Sequence, residues 1–259
     1  MNRFIIIILG LISFVINGQN NTISPGEKLT FIASYNMSGL LTDFAQITME
    51  TTTFKTSKSE FLRLRCKAQT YEKWNQFFAI NDTYETFVNP TNLEPYIHKR
   101  QINEGGYFKK MQYNFDSKSQ SVKSIKTKRR KDGTFWDEKN TFRVSEQTKD
   151  IITTLYALRN SDIHKAKIGT KDRITVLFDN KETEITIALI AIETINTKLG
   201  MIKCYKVGVS LQNSEILNND NDNVIWLTAD KNKVPVYVKF KVPVGNGELK
   251  IQHATGLKF

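Results

Sequence analysis

The chain has 259 residues, of which 40% are hydrophobic and 24% charged, and its formal net charge is +11. This balance is ordinary for a globular protein and excludes a largely disordered chain, which would hold fewer apolar residues. The basic excess favours anionic partners or surfaces and carries no information about the fold.

The N-terminal residues have the pattern of a secretory signal peptide. Arg3 gives a positive start, an apolar run extends from Phe4 to Ile16, and the small residue Gly18 follows. These are the parts of a cleaved signal. The run is shorter than the ~20 apolar residues that cross a bilayer, which disfavours an uncleaved membrane anchor. We predict cleavage after Gly18, no transmembrane segment in the mature chain, and a periplasmic or secreted location.

The mature chain would span residues 19–259 and keep a net charge of +10, because Arg3 is the only charged residue removed. Its length suits one large domain with its own core. No Pro- or Ser-rich linker divides it. We therefore predict a signal peptide over residues 1–18 and a single β-rich domain over residues 19–259.

The dominant pattern in the mature chain is a period of two. Apolar and polar residues alternate from Lys28 to Met37 and again from Phe61 to Ala68. Later stripes of the same kind are Ile174–Phe178, Ile185–Ala191, Tyr205–Leu211 and Val234–Phe240. Strands with one buried face alternate in this way, and Gly, Asn and Asp turn signals separate them. The pattern predicts an all-β fold of about eleven mainly antiparallel strands in one large curled sheet or half-open barrel.

One segment departs from this period. Apolar residues recur at helical spacing between Asp150 and Arg159, and Thr148 or Asp150 can cap the start. We predict one short helix near residues 149–159 that packs against the concave face of the sheet. Asp150 and Arg159 are too far apart for an i, i+4 pair, and we expect them to complement the helix dipole at its two ends.

The chain has two cysteines, Cys66 and Cys204. Export to an oxidising compartment permits a disulfide between them. Cys66 follows Leu62 and Leu64 on an apolar face, whereas Cys204 alternates with Lys206 as if on the opposite face. The local patterns favour two separate, half-buried thiols, and both alternatives stay open.

No assembled catalytic or metal-binding motif is visible. The three histidines lie far apart in the chain: His98, His164 and His253. No Gly-rich phosphate loop and no Gly-x-Ser-x-Gly turn is present. The acidic residues Asp220, Asp222 and Asp230 do not have calcium-loop spacing, and Asn218–Asn223 is better interpreted as a solvated surface loop. We predict no catalytic residue, no metal and no cofactor.

The positive charge is concentrated in residues 99–131, which hold eleven basic residues against Glu104 and Asp116. Aromatic residues are interleaved, so the segment is predicted to form basic, aromatic-rich hairpins. The residues that we expect to contact an anionic surface are Lys109, Lys110, Lys126, Lys128, Arg129, Arg130 and Lys131. The anionic partner would be an envelope component such as a lipid head group, lipopolysaccharide or an acidic glycan.

Two other interpretations of this segment remain. The lysines can belong to a solvated hairpin, where they also protect a sheet edge from pairing with another chain. A nucleic-acid patch is disfavoured because export removes the usual partner, so we predict no nucleic-acid partner.

Several short motifs, which follow one another in order along the mature chain, resemble those of a known protein family. Gly26-Glu27-x-Leu29 opens the series, Asp150 with Leu155–Arg159 stands in the middle, and Ile225-Trp226-Leu227-Thr228-x-Asp230 comes near the end. In these pieces the chain resembles a family of exported bacterial proteins labelled domain of unknown function three thousand one hundred and eight. The resemblance implies an exported β-sheet domain without an established activity. It marks these positions, whose role it leaves open: Gly26, Glu27, Asp150, Arg159, Trp226 and Asp230.

The same residues have plain structural uses. Trp226 suits a buried strand, and Asp230 can form an Asx turn before the next strand. A curled sheet with a helix against it is also similar to the half-barrel of periplasmic lipoprotein carriers, which is a likeness of fold that does not fix function.

Together these observations predict an exported periplasmic binding or scaffold protein of the bacterial envelope. Its sheet would hold an apolar or amphiphilic ligand, and its basic surface would meet an anionic partner. One alternative is a hydrolase of envelope glycan or lipid, which two carboxylates facing each other at about 5–10 Å across a cleft would favour. A second is an outer-membrane β-barrel, suggested by a last strand that ends in Phe259 but opposed by charges throughout the strands.

Overall fold

The computed structural model describes residues 19–37, 39–211, 223–242 and 245–259. The predicted signal peptide, residues 1–18, lies outside these ranges. So do Asp220 and Asp222 and all of the predicted surface loop except Asn223. The signal peptide and the surface loop therefore stay predictions.

The described residues form one sheet of fifteen strands, in the order β8-β7-β6-β5-β4-β3-β2-β1-β15-β14-β13-β12-β11-β10-β9. The strands are β1 (Lys28–Met37), β2 (Leu40–Lys55), β3 (Glu60–Thr70), β4 (Asn81–Val88), β5 (Pro95–Glu104), β6 (Tyr107–Asp116), β7 (Ser121–Arg129), β8 (Phe135–Arg143), β9 (Lys149–Asp150), β10 (Lys171–Phe178), β11 (Lys181–Thr197), β12 (Gly200–Leu211), β13 (Val224–Thr228), β14 (Pro235–Val242) and β15 (Gly245–Thr255). Two meanders, β1–β8 and β10–β15, meet where β1 pairs with β15. Neighbouring strands are antiparallel, except that β9 and β10 are parallel.

The predicted all-β, mainly antiparallel curled sheet is confirmed, but the predicted number of about eleven strands is wrong. Two strands show why the alternation gives too low a number. β8 is exposed along most of its length and therefore has no apolar stripe. β9 is only two residues long, too short for any periodic pattern.

The single α-helix of the described residues is α1 (Ile151–Arg159), close to the predicted position. Lys149 and Asp150 belong to β9 instead. Asp150 caps the helix, because its Oδ1 accepts hydrogen bonds from the backbone N–H groups of Ile152 at 2.9 Å and Thr153 at 3.1 Å. Two one-turn 3₁₀ helices, Glu72–Trp74 and Ile163–Lys165, complete the regular structure.

Helix α1 accounts for the curl of the sheet. It contacts β3 and β4 of the first meander and β10 of the second. In a flat sheet β4 and β10 would be about 43 Å apart, whereas a nine-residue helix is only about 14 Å long. The sheet therefore has to bend around the helix for both meanders to reach it.

The core has three parts. Tyr156 of α1 lies among residues of the first meander, such as Phe31 and Leu64. Leu158 lies among residues of the second, such as Val176 and Leu227. A third cluster joins the meanders near the start of the helix, where Leu177 of β10, which pairs with Asp150, packs against Met111, Tyr113 and Val122.

Cys66 and Cys204 are both free thiols. The favoured prediction of two unbridged cysteines is therefore confirmed, but the predicted half-exposure of Cys204 is wrong, because this residue is fully buried. Its neighbour Lys206, which suggested a solvated face, lies with Nζ 5.2 Å from the centroid of the Trp226 ring. A long lysine chain can cover apolar surface while its charged end stays near water.

Candidate functional site

Four of the residues that carry the family resemblance fasten the C-terminal end of α1. Arg159 donates two hydrogen bonds of 2.6 Å to the two carboxylate oxygens of Glu27, and both side chains are buried. Arg159 also donates to the backbone oxygen of Asn232. Asp230 forms the predicted Asx turn, because its Oδ1 accepts the backbone N–H of Asn232 at 2.9 Å. The fourth residue, Gly26, precedes Glu27 with φ of +96°.

The prediction that Arg159 acts through the helix dipole missed this ion pair. Glu27 and Arg159 are separated by 132 positions in the chain, so no local spacing brings them together. Both belong to the family motifs, and that was the only signal in the sequence that linked them. The arrangement is a structural anchor.

Asp150 holds the other end of α1. Its Oδ1 accepts a hydrogen bond of 2.9 Å from the Thr86 hydroxyl, and it lies 3.1 Å from Nδ1 of His98. Burial acts to raise the pKa of Asp150, but His98 and the hydrogen bonds from Thr153 outweigh it and lower the pKa to about 2. Asp150 is thus an ionised, fully paired structural residue.

Glu104, on the first meander, is a carboxyl group with a raised pKa. Glu104 is hydrogen-bonded to Asp82, and burial together with this contact raises the pKa of Glu104 to about 7. Burial and the Asp82 charge also raise the pKa of the Cys66 thiol to about 12. Glycosidase carboxylates stand about 5–10 Å apart, so two groups in direct contact do not have the spacing of that chemistry. No three His, Cys, Asp or Glu side chains of the described ranges are grouped so that they could hold a metal ion.

The structure divides the seven predicted surface residues instead of bringing them together. Lys109, Lys126 and Lys128 lie on the face of the sheet that faces α1. There Lys109 pairs with Asp179 at 2.7 Å, and Lys126 pairs with Glu138 at 2.9 Å.

The other four lie elsewhere. Lys110 points to the opposite face of β6. Arg129, Arg130 and Lys131 are exposed at the β7–β8 turn, where Arg129 donates to the backbone oxygen of Gly106 at 2.6 Å. The period of two already implied this division, because Lys126 and Arg129 have opposite parity in β7.

The second meander carries a cavity of about 550 Å³, which we call the aromatic cavity. Trp226 and Tyr237 form its apolar floor, with ring centroids 4.8 Å apart and a tilt of 34°. The Trp226 indole N–H donates to Glu193 at 2.7 Å, which fixes the ring. The lining residues are Ile195, Asn196, Thr197, Lys198, Trp226, Val236, Tyr237, Lys250, Ile251 and Gln252.

The tip of the β11–β12 hairpin supplies one wall of this cavity. β13 has only five residues and pairs with β12 from Cys204 to Gly208, so the hairpin tip continues past β13 as a two-stranded ribbon. Its Ile195 and Lys198 meet Tyr237 and Lys250 across the opening. The prediction that Trp226 lies in the core is correct, but nothing in the sequence indicates that its ring also forms the floor of a cavity.

The first meander carries a second cavity, of about 610 Å³, which we call the basic groove. It crosses β3 to β7, and basic residues of β3, β5 and β6 line it. Of the seven predicted residues, Lys110 alone contributes to it.

With this fold, the protein belongs to the class of half-open β-barrels that are made of one curled sheet with a helix inside the curl. A solved structure from Brucella abortus, described as a β-barrel-like protein of domain of unknown function DUF1849, is similar over 88% of this chain and 96% of that chain. Its TM-score is 0.53 and its identity 8%, so the likeness concerns the fold alone. No curated protein matches the sequence.

Among the described residues, α1 and the short 3₁₀ turns are too short to span a bilayer as an apolar helix.

The family model described as "Protein of unknown function (DUF3108)" matches residues 30–252. The chain therefore belongs to this family, which confirms the resemblance found in the sequence motifs.

Proposed function

We propose that this protein is an exported, non-enzymatic binding protein of the bacterial envelope, and that its ligand is an amphiphile with an anionic head. The aromatic cavity carries this proposal. Its volume of about 550 Å³ falls within the roughly 300–1,000 Å³ typical of small-molecule sites. A tilted aromatic pair with isoleucine and valine beside it suits an acyl chain or a flat apolar body.

Two lysines stand at the opening of the aromatic cavity. Lys198 comes from the β11–β12 hairpin and Lys250 from β15, so they approach from opposite walls. Lys250 also pairs with Glu248 at 2.9 Å, which leaves Lys198 as the cation without a carboxylate partner among the described residues. An apolar floor with a cation above it matches a molecule that has an apolar tail and one negative charge.

Export is the second part of the proposal, and its support comes from the sequence. The charged and apolar N-terminal segment ending at Gly18 has the features of a cleaved signal peptide. A periplasmic location would place the protein beside membranes and lipoproteins, where single-chain amphiphiles occur. N-terminal sequencing of protein from its own envelope should find Gln19 or a close neighbour first, and retention of Met1 on membrane-bound protein would contradict export.

Titration with two single-chain lipids tests the binding proposal. Dodecanoyl lysophosphatidylglycerol is anionic and dodecanoyl lysophosphatidylcholine is zwitterionic, and both would be used below their critical micelle concentrations. We expect one-to-one binding of the anionic lipid, weakened at least fivefold in the double variant K198Q/K250Q. Binding of the zwitterionic lipid should change less than twofold, because only the head-group contact is lost.

The matched control is K58Q/K118Q, which removes the same charge at two exposed sites outside the cavity. An equal loss in both double variants would indicate diffuse attraction by the net charge and would contradict a specific site. Failure of the wild type to bind either lipid would contradict the proposal as a whole. The variant I195D, which puts a carboxylate into the apolar wall, should abolish binding of both lipids.

A further inference from the structure

The basic groove lies on the face of the sheet that points away from α1. On β6, Lys110 alternates with the buried Lys109 and Met111, so it points to the opposite face. Arg63 and Arg65 of β3 alternate in the same way with the buried Leu62 and Leu64. The groove is formed mainly by outward side chains of the first meander, and it shares no lining residue with the aromatic cavity, which lies on the second meander.

The charge of the groove is unbalanced. Arg63, Arg65, Lys99 and Lys110 contribute outward-facing cations, and the lining holds one carboxylate, Glu85. Glu85 is committed to Arg63, since its Oε1 accepts the Nε–H of Arg63. Three cations are left without a carboxylate partner among the described residues.

Arg65 gives the most specific indication of a ligand. Its Nε atom is buried and has no hydrogen-bond partner within the described part of the chain. Buried donors in proteins are almost always paired, and an arginine N–H is a strong donor that suits carboxylate or phosphate oxygens. An anionic acceptor in the groove would satisfy this atom.

Polar and aromatic side chains accompany the cations. Amides and hydroxyls of the same face line the groove: Thr83, Gln101, Gln112 and Thr127. Two aromatic pairs lie beside cations of the groove, outside its lining. Phe87 packs on Phe54 with centroids 4.9 Å apart, and Phe108 packs on Phe135 at 5.3 Å. The Nζ atoms of Lys99 and Lys110 each lie 5.5 Å from one of these rings, Phe87 and Phe108.

The spacing of these groups selects the kind of ligand. From β3 to β6 the groove crosses about 14 Å of sheet, because neighbouring strands are about 4.8 Å apart. In register across the strands, Arg65, Glu85, Lys99 and Gln112 form one row, and Thr83, Gln101 and Lys110 form the next. A lipid acyl chain would find few apolar contacts in the middle of the groove. A hydroxyl-rich chain that carries negative charges would find cations and hydrogen-bonding groups side by side, with the charge of Glu85 balanced by Arg63.

We propose that the basic groove binds a linear acidic glycan, with carboxylates of its sugars on Arg65, Lys99 and Lys110. Sugar hydroxyls bond to the amide and hydroxyl side chains beside them, and sugar faces rest on the aromatic pairs next to Lys99 and Lys110. This is a second site, independent of the amphiphile that we assign to the aromatic cavity.

Hexagalacturonate, an oligomer with one carboxylate per sugar, serves as the probe, with chitohexaose as the neutral sugar chain of equal length. Binding would be measured by isothermal titration at low and physiological salt. We expect hexagalacturonate to bind and chitohexaose to bind at least tenfold more weakly. The triple variant R65Q/K99Q/K110Q should lose at least tenfold in affinity for hexagalacturonate.

The charge-matched control is K58Q/K118Q/K131Q, whose three lysines are exposed and lie outside the groove. It should stay within twofold of the wild type, whereas a loss as large as in the groove variant would overturn the proposal. So would tighter binding of oligo(dT), which would make the groove a nucleic-acid site. Binding to phosphatidylglycerol vesicles but not to the oligomer would also overturn it. The variant R65Q/K99Q/K110Q should bind lysophosphatidylglycerol as the wild type does. That result keeps the test of the basic groove separate from the test of the aromatic cavity.

Discussion

Gly256 marks the tightest backbone contact at the level of single residues. A Cβ atom added there would lie 2.0 Å from the backbone oxygen of Gly26, and Gly256 has φ of +65°. Both partners of this contact are backbone, so neither can move aside as a flexible side chain would. The contact places Glu27, which follows Gly26, next to the last strand.

We expect G256A to lower the free energy of unfolding by about 2–4 kcal/mol, from the clash and the unfavourable φ together. Gly133 is the matched control, since it has φ of +86° and open space around the added Cβ. G133A should therefore cost only the conformational part, about 1 kcal/mol. Urea denaturation of both variants measures the two losses in the free energy of unfolding. Equal losses would show that the backbone segments at Gly26 and Gly256 can move apart.

The ion pair of Glu27 and Arg159 gives a second prediction. E27Q leaves a buried guanidinium without its counter-charge, which typically costs about 3–5 kcal/mol. E50Q removes the carboxylate of an exposed pair with Lys28 and should cost less than about 1 kcal/mol. The double variant E27Q/R159M should recover part of the loss, because the unpaired charge is gone. A loss of less than 1 kcal/mol in E27Q, measured by urea denaturation, would contradict an anchoring role.

Glu104 makes stability depend on pH. Its pKa is raised from 4.5 to about 7, so the folded protein holds this proton more tightly than the unfolded chain does. The stability from this group is therefore complete below about pH 4.5 and is lost as the pH rises through 7. Because Glu104 is partly exposed to solvent, E104Q should stabilise the protein at pH 8 by only about 1 kcal/mol. At pH 4 the substitution should change the free energy of unfolding little. Thermal unfolding at both pH values tests this, and a pH-independent effect would refute it.

At the level of elements, the sequence could predict what depends on local spacing. The helix was visible because its apolar residues recur every three to four positions after the cap Asp150. The long alternating strands were visible for the same reason. The exposed β8 and the two-residue β9 were not, since neither offers a buried stripe.

The candidate sites were less predictable than the strands. The Glu27–Arg159 pair joins residues 132 positions apart, and each cavity gathers residues from several strands, which local periodicity does not bring together. Lys110 was singled out by charge, but Arg65 was not. The significance of Arg65 depends on a buried atom that has no partner among the described residues, which only three-dimensional packing reveals.

The β11–β12 hairpin is the element that we expect to respond to a ligand. Its tip, residues 192–203, is a two-stranded ribbon, and isolated ribbons of this kind are only marginally stable. Its backbone amides should exchange with deuterium faster than those of residues 204–208, which pair on both sides. Lysophosphatidylglycerol should slow this exchange, as measured by mass spectrometry. Unchanged exchange with saturating lipid would argue against the hairpin as a wall of the site.

At the level of the whole molecule, the sheet has no internal division. The two meanders share the pairing of β1 with β15, and α1 contacts both. The Brucella abortus structure has a similar arrangement over most of its length at 8% identity, so very different sequences can specify this curl. The likeness carries no functional residue from one protein to the other.

The pairing of the first strand with the last has a consequence for biosynthesis. β1 leaves the ribosome or the translocation channel early, but the strand that covers its free edge, β15, is made last. Until then β1 exposes unpaired amide and carbonyl groups, which are a template for pairing with other chains. Such long-range closure also slows folding. The nascent chain is therefore expected to need a chaperone that shields this edge, and refolding at high concentration should compete with aggregation.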